Sequence, residues 1–202
     1  MKGAVIIFLL VIASGSASAQ FYDKMFFVGW NVNQPFSNKD FIEKSSSRGA
    51  RVGYREMINE QLAFGIDLTW ATYDDYEPRQ TYTTANSALT TDFTNYANNY
   101  GALLTADYYF RVEKMVMPYV GFGAGAAYNS YKVYYNVYSA GDNSFGFLMR
   151  PTAGCWIKFS ETRNWALNAG VHLDFSTAKS SDVGYKNFTN AGFEIGLVFL
   201  DW

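Results

Sequence analysis

The chain has 202 residues, which is the length of one domain. Its formal net charge is −2, with 17% charged and 19% aromatic residues, and no basic run exists that could contact nucleic-acid phosphates. The single cysteine, Cys155, excludes an internal disulfide and completes no metal-binding cluster, so we expect no metal and no cofactor.

The first 19 residues have the features of an export signal. Lys2 gives a basic start, residues 4–13 form an apolar run too short to span a bilayer, and Ala17-Ser18-Ala19 is a small-x-small cleavage site. We therefore predict a cleaved signal peptide over residues 1–19 and a mature domain over residues 20–202. No later stretch approaches the length of a membrane-spanning helix, so a membrane location requires a closed barrel that pairs every backbone polar group.

Eight segments of the mature chain alternate apolar residues with small or polar ones, which predicts strands. They cover residues 24–33, 48–58, 61–73, 100–111, 116–128, 145–159, 165–176 and 188–202. The third segment is the most regular, and one of its faces carries Leu62, Phe64, Ile66, Leu68 and Trp70. Pro151 lies inside the sixth segment, where its missing N–H predicts a β-bulge.

The connections between these strands are alternately long and short. An even strand number with short turns on one rim is typical of outer-membrane barrels. The predicted fold is all-β: an eight-stranded antiparallel up-and-down transmembrane β-barrel with short periplasmic turns and long extracellular loops at 34–47, 74–99, 129–144 and 177–187. The interior of such a barrel is narrow, so we expect the large hydrophobic residues to face lipid and the small and polar ones to fill the lumen. Closure requires the last strand to pair with the first.

Four features together carry a resemblance to a known family. They are the export signal, the alternating third strand, the segment P-Y-V-G-F-G-A-G-A at 118–126 and the final strand ending at Trp202. The mature chain resembles small bacterial outer-membrane β-barrel proteins of the OmpX-, OmpA- and OmpW-like type. The resemblance implies a place in the Gram-negative outer membrane, contact with its lipid and lipopolysaccharide, and recognition of the C-terminal strand by the barrel assembly machinery. Trp202 is one residue out of phase with Phe199, so either a bulge precedes it or it anchors at the interface.

Charged residues of both signs share the polar faces of the strands. A charge within a membrane is costly unless it is paired or hydrated, so we predict a lumen charge network. Its members are Arg51, Arg55, Asp67, Asp107, Arg111, Arg150, Asp174 and Glu194. This network either plugs the barrel or lines a narrow path for ions and small solutes. Interfacial aromatic residues are predicted at Trp30, Tyr54, Trp70, Trp165 and Trp202.

His172, Asp174 and Ser176 lie on one face of the seventh strand, but residues spaced by about 7 Å per step along a strand do not converge as a catalytic triad does. No catalytic residue is therefore predicted. The long loops combine Tyr with Ser and Asn, a composition that favours an extracellular ligand. The predicted function is non-enzymatic, namely a structural or surface-interaction role with a plugged lumen. The alternatives are a narrow channel or carrier of small apolar ligands, a lipid-modifying enzyme, and a secreted lipocalin-like barrel.

Overall fold

The computed structural model describes residues 24–84, 87–111, 115–136, 138–160, 164–180 and 187–201. The predicted signal peptide and Trp202 lie outside these ranges. Within them, no helix has the length and apolar character needed to cross a membrane. The eight strands are β1 (Lys24–Pro35), β2 (Ser46–Met57), β3 (Leu62–Thr84), β4 (Ser87–Tyr109), β5 (Val116–Tyr135), β6 (Tyr138–Lys158), β7 (Trp165–Ser176) and β8 (Phe188–Asp201).

These strands form one closed antiparallel barrel in chain order. β8 pairs with β1 from Lys24 opposite Asp201 to Pro35 opposite Asn190, so the sheet has no open edge at its seam. This pairing confirms the predicted fold class and the predicted closure by the last strand.

The strands are staggered around the barrel. Starting at Phe26, registered partners lead through Tyr54, Ile66, Leu104, Ala124, Met149 and Phe175 to Thr189. The carbonyl of Thr189 accepts a hydrogen bond of 2.8 Å from the N–H of Phe36. Phe36 lies ten residues after Phe26, so one circuit of the barrel shifts the register by ten residues. A stagger of this size tilts the strands against the barrel axis and leaves a lumen that side chains can fill.

The described residues of the predicted loop at 74–99 are in fact strand. For the loop at 129–144, the weak alternation in the sequence suggests strands that continue beyond the membrane, and β5 and β6 confirm this. β3 and β4 have 23 residues each, and their hairpin stays paired as far as Thr84 opposite Ser87. β5 and β6 have 20 and 21 residues and stay paired as far as Tyr135 opposite Tyr138. Residues 73–84, 87–99, 129–135 and 138–147 therefore form a four-stranded extension above the rest of the barrel, called here the protruding sheet. Sequence patterning missed most of it because both faces of residues 74–99 are polar.

The bulge predicted at Pro151 is wrong. β6 keeps one register with β7 on both sides of the proline, with Met149 opposite Phe175 and Thr152 opposite His172. The ladder with β5 is also unshifted, with Phe122 opposite Pro151. Pro151 therefore interrupts the ladder towards β7 by removing a donor, and no extra residue is inserted.

The outer surface of the barrel is apolar. Leu104 is 70% exposed, and large hydrophobic side chains from all eight strands are exposed around it. They include Phe26, Val28, Ile66, Leu68, Phe122, Phe147, Val171, Leu197 and Phe199. Water-soluble monomers rarely expose a contiguous apolar surface of this extent, whereas lipid solvates it.

Candidate functional site in the lumen and on the protruding sheet

The middle of the lumen holds a cluster of salt bridges, called here the charge lattice: Arg51, Arg55, Asp67, Asp107 and Glu194. Asp67 pairs with Arg55 at 2.6 Å and with Arg51 at 3.2 Å. Arg55 also donates to Asp107 at 2.5 Å, and Arg51 lies 3.0 Å from Glu194. All five side chains are at most 4% exposed, so every charge in the lattice is compensated by a direct ion pair rather than by solvent.

Glycines on neighbouring strands make room for these carboxylates. Gly53 lies opposite Asp67 in the β2–β3 ladder, and Gly121 lies opposite Asp107 in the β4–β5 ladder. A Cβ atom at either glycine would overlap the facing carboxylate. The small residues that alternate along these strands are thus a requirement of the buried ion pairs.

The lattice continues to the other side of the lumen through neutral groups. Glu194 accepts a hydrogen bond of 2.8 Å from Asn168, whose Oδ1 accepts one of 3.0 Å from the Tyr119 hydroxyl. The Arg51 guanidinium also lies 4.6 Å from the ring centre of Phe27, within range of a cation–π contact. Side chains from seven of the eight strands therefore join in one transverse layer.

A second ion pair lies above the lattice. Arg150 donates through Nη2 to Asp174 at 2.7 Å and also through Nε, and Asn190 donates to the same carboxylate at 3.2 Å. Lys158, on the inner face of β6, is also buried. The buried lumen charges of the described residues are thus four cations and four anions: Arg51, Arg55, Arg150 and Lys158 against Asp67, Asp107, Asp174 and Glu194.

Arg111 lies outside the lumen, contrary to the prediction. β4 ends at Tyr109, and the N–H of Phe110 donates to the Pro118 carbonyl as the chain turns. Arg111 follows this point and is exposed at the rim. There its guanidinium keeps its hydration, which burial would have removed.

The end of the lumen near the short turns is apolar, which corrects the expectation of a polar interior throughout. This layer, called here the floor, contains Met25, Phe27, Ala63, Tyr109, Met117, Tyr119, Trp156, Ala166, Val198 and Leu200. The ring centroids of Tyr109 and Trp156 are 5.0 Å apart, and those of Tyr119 and Trp156 are 5.9 Å apart. Phe27, Tyr119 and Trp156 occupy inward positions by strand alternation, so the sequence contained the signal for this layer.

Residues 36–45, called here loop 1, close the opposite end. Ile42 is fully buried and clusters with Tyr73, Ala97, Tyr131 and Phe188, with Phe41 packed against them. This cluster is called here the roof. The sequence predicts a polar loop at 34–47, although the adjacent Phe41 and Ile42 within it are a signal of burial.

Hydrogen bonds and one ion pair fasten loop 1 to the protruding sheet. Asn95 donates to the Phe41 carbonyl at 3.0 Å, and the Lys44 ammonium lies 2.7 Å from Asp75. Partial burial alone would raise the pKa of Asp75. The hydrogen bonds from Lys44 and from the Glu43 N–H outweigh that effect and lower the pKa below its usual value. The Asp75 carboxylate is therefore stabilised in its charged form.

Three residues on β7 suggested a hydrolase, but each of them contacts a different partner. His172 Nε2 lies 2.9 Å from Asn33, Asp174 pairs with Arg150, and the Ser176 hydroxyl accepts from the N–H of Ala178 at 3.2 Å. They do not form the acid–imidazole–hydroxyl relay of a catalytic triad. Within the described ranges, no group of three or more His, Cys, Asp or Glu residues is placed to hold a metal ion.

Aromatic residues form two zones on the outer surface. Trp70, Tyr100, Tyr128 and Phe145 are consecutive registered neighbours on β3–β6, and Trp30 joins this row through Ala50. Tyr54 and Trp165 lie nearer the short turns, where Trp165 packs on Phe159 with centroids 4.8 Å apart. Tyr100, Tyr128 and Phe145 extend the set predicted from sequence.

The family model described as outer membrane protein beta-barrel domain matches residues 5–199. The chain belongs to this family. The outer-membrane barrel is also similar in fold to Ail of Yersinia pestis, solved in complex with the heparin analogue sucrose octasulfate. The two are 13% identical with a TM-score of 0.53, over 88% of this chain and 97% of that one. Neisserial surface protein A is 17% identical with a TM-score of 0.51, over 88% of this chain and 96% of that one. No curated protein sequence matches.

Membership of this family places the chain in the bacterial outer membrane. The exposed apolar band is then the lipid-facing surface. The protruding sheet, beyond the aromatic row that contains Trp70 and Tyr128, lies on the extracellular side together with loop 1.

Proposed function

We propose that this outer-membrane barrel is a non-enzymatic protein with a plugged lumen that acts at the cell surface through its protruding sheet. The observation that carries the proposal is that the filled lumen and the exposed extracellular extension lie at different levels along the barrel axis. The floor, the charge lattice and the roof fill the lumen, while the extracellular extension exposes polar side chains together with the rings of Tyr76, Tyr134 and Tyr138.

The plug is supported by the packing across the lumen. An ion crossing it would have to separate the Arg55–Asp107 pair at 2.5 Å or its neighbours in the lattice, and then pass the edge-to-face rings of the floor. Each of these steps exposes buried charge or opens an apolar layer, and neither gains compensating contacts. A narrow channel, the alternative function, requires both layers to rearrange.

The surface role is supported by the exposed rings of the protruding sheet. Tyr76, Tyr134 and Tyr138 are 52%, 43% and 64% exposed. Tyr offers a large, rather rigid contact area with a hydroxyl, and the surrounding Asn, Ser and Thr supply hydrogen bonds. Ail shares the fold and was solved with sucrose octasulfate, so that sulfated sugar is a reasonable first probe for this surface.

Two membrane partners complete the proposal. Outer-membrane lipid and lipopolysaccharide contact the apolar band and its aromatic zones. The assembly machinery recognises β8, which alternates outward Phe193, Ile195, Leu197 and Phe199 and closes the barrel against β1.

The test measures conductance and surface binding on the same purified protein. In planar bilayers, we expect no ion conductance above that of protein-free membrane, and steady channels would contradict the plug. For binding, Tyr76→Ser, Tyr134→Ser and Tyr138→Ser are combined and compared with the intact barrel for adhesion of expressing cells and for sucrose octasulfate binding by calorimetry. Tyr108→Ser, on the outer face near the short turns, is the control. Equal adhesion of all forms would contradict the surface role.

A lipid-modifying enzyme is the remaining alternative. Lipid deacylation by the purified barrel in mixed micelles, with His172→Ala as the comparison, separates it from the proposed role. Turnover that depends on His172 would favour the enzyme.

A further inference from the structure

A small cavity lies between the charge lattice and the roof. It is called here the chamber, and its polar lining includes Asn33, Asn99, Asn129, Arg150, Asp174 and Asn190. The volume that the centre of a water molecule can occupy in the chamber is ≈ 20 Å³. Since about 10–15 Å³ of such space suffices for one water, the chamber has room for about one or two water molecules and for nothing much larger.

Three side chains around the chamber each have a buried polar atom without a hydrogen-bond partner among the described residues. These atoms are Nη1 of Arg150, Oδ1 of Asn99 and Oδ1 of Asn190. The other bonds of Arg150 and Asn190 are made to Asp174, so these two side chains are held in place and cannot turn to find another acceptor or donor freely. Folded proteins rarely leave such buried groups unsatisfied, and each one calls for an explanation.

The unpartnered atoms restrict the chemistry of the ligand. An anion would accept from Arg150 Nη1 but would also face two amide oxygens and the Asp174 carboxylate. A cation would suit the oxygens but would face the guanidinium. An uncharged molecule that both donates and accepts hydrogen bonds matches all three atoms, and the size of the chamber limits it to water.

We infer that the chamber is a binding site for one or two structural water molecules. They accept a hydrogen bond from Arg150 Nη1 and donate to the side-chain oxygens of Asn99 and Asn190, which completes the bonding of the Arg150–Asp174 pair. Arg150 and Asp174 line the chamber on the side of the lattice, and Tyr73 and Phe188 of the roof line it on the other side. We therefore expect them to exchange with bulk solvent more slowly than the water around exposed side chains. The inference rests on the plugged lumen of the proposed function but is independent of the surface role.

Nuclear magnetic resonance on the folded barrel in nanodiscs, with isotope-labelled Arg and Asn, tests the inference directly. Rotating-frame cross-peaks between side-chain protons and water separate dipolar contact from chemical exchange by their sign. We expect dipolar cross-peaks to water at Arg150. Arg55 is the dry control because its Nε, Nη1 and Nη2 all donate to protein acceptors. Arg48, exposed on β2 beside Asp74, is the control for rapid exchange with bulk solvent.

Two results for the unmodified protein would overturn the inference, and one result for a variant would do the same. One is the absence of any water cross-peak at Arg150, and the other is exchange at Arg150 as fast as at Arg48, which would mean that the chamber is open. The variant Ala127→Val adds a check, because Ala127 is buried and lines the chamber. We expect the Arg150 cross-peak to be lost in this variant while the heat-dependent gel shift shows a folded barrel. A persistent cross-peak would place the water elsewhere. Planar-bilayer conductance of the same purified protein tests the plug separately.

Discussion

Removing Arg55 should destabilise the barrel more than removing any single carboxylate of the charge lattice. Arg55 pairs with both Asp67 and Asp107, and it is the ion-pair partner of Asp107 among the described residues. Arg55→Ala leaves two buried carboxylates with one fewer cation, for which we expect a loss of about 3–5 kcal/mol in the free energy of unfolding.

Asp67→Ala should cost less, because the two arginines it contacts each keep another carboxylate. Arg51 retains Glu194, and Arg55 retains Asp107. The cost then comes from arginine N–H groups that lose their acceptor, and we expect a loss of about 1–3 kcal/mol in the free energy of unfolding. The exposed pair of Arg48 and Asp74 supplies the control, and Asp74→Ala should cost about 0–1 kcal/mol.

Urea titration of the barrel in lipid vesicles, followed by tryptophan fluorescence and the heat-dependent gel shift, measures all three free energies. Planar-bilayer conductance is recorded on the same variants. The expected order of losses is Arg55→Ala, then Asp67→Ala, then Asp74→Ala, with no new conductance in any of them. If Arg55→Ala were as stable as Asp74→Ala and its conductance rose, the lattice would be a hydrated path and the plug would be refuted.

Three further predictions concern the roof, the lipid face and the floor. The Asp75 carboxyl has a lowered pKa when it is bound to Lys44, so the docking of loop 1 should be intact above the ordinary pKa of about 4 and should weaken as the pH falls through the lowered value. The measurement is amide exchange, which should become faster in loop 1 as the docking weakens. Asp75→Asn should abolish this pH dependence. Leu104→Lys, on the lipid face, should cost about 2–4 kcal/mol in vesicle unfolding, and a neutral result would mean that this face is wet. Trp156→Ala should cost about 3–5 kcal/mol without opening a conductance, because the lattice above the floor remains; a new conductance would make the floor the main seal.

Alternation along the strands predicted the barrel because one face of each strand contacts lipid and the other faces the lumen. Along β3, outward Ile66 and Leu68 face lipid while inward Asp67 faces the lumen, so every second residue changes character. The same parity placed Arg55 and Glu194 inside, although it could not show which carboxylate each cation meets. Pairing depends on the stagger between strands, and that stagger follows from the closure of β8 on β1, a contact between opposite ends of the chain.

Patterning missed the protruding sheet, the burial of Ile42 and the floor, each for its own physical reason. Residues 74–84 and 87–99 face water on their outer side and contact loop 1 near their base, so no alternation marks them as strand. Ile42 is buried by a loop, and no periodic pattern predicts where a loop folds back. The floor was missed for a different reason: Trp156 has the correct inward parity, but an expectation of uniform polarity in the lumen obscured it.

The contacts that stabilise the barrel and the surface proposed to bind are separated along the axis. The charge lattice, floor and roof lie at or below the level of loop 1, whereas Tyr134 packs edge-on against Tyr96 on the outer face of the protruding sheet, with centroids 5.6 Å apart. Losing that ring pair costs about 0.5–1.5 kcal/mol beyond its buried area, well under the cost of breaking the lattice. Substitutions at the protruding sheet can therefore change binding while the barrel stays folded, which makes this sheet the part of the molecule whose residues can vary with the partner.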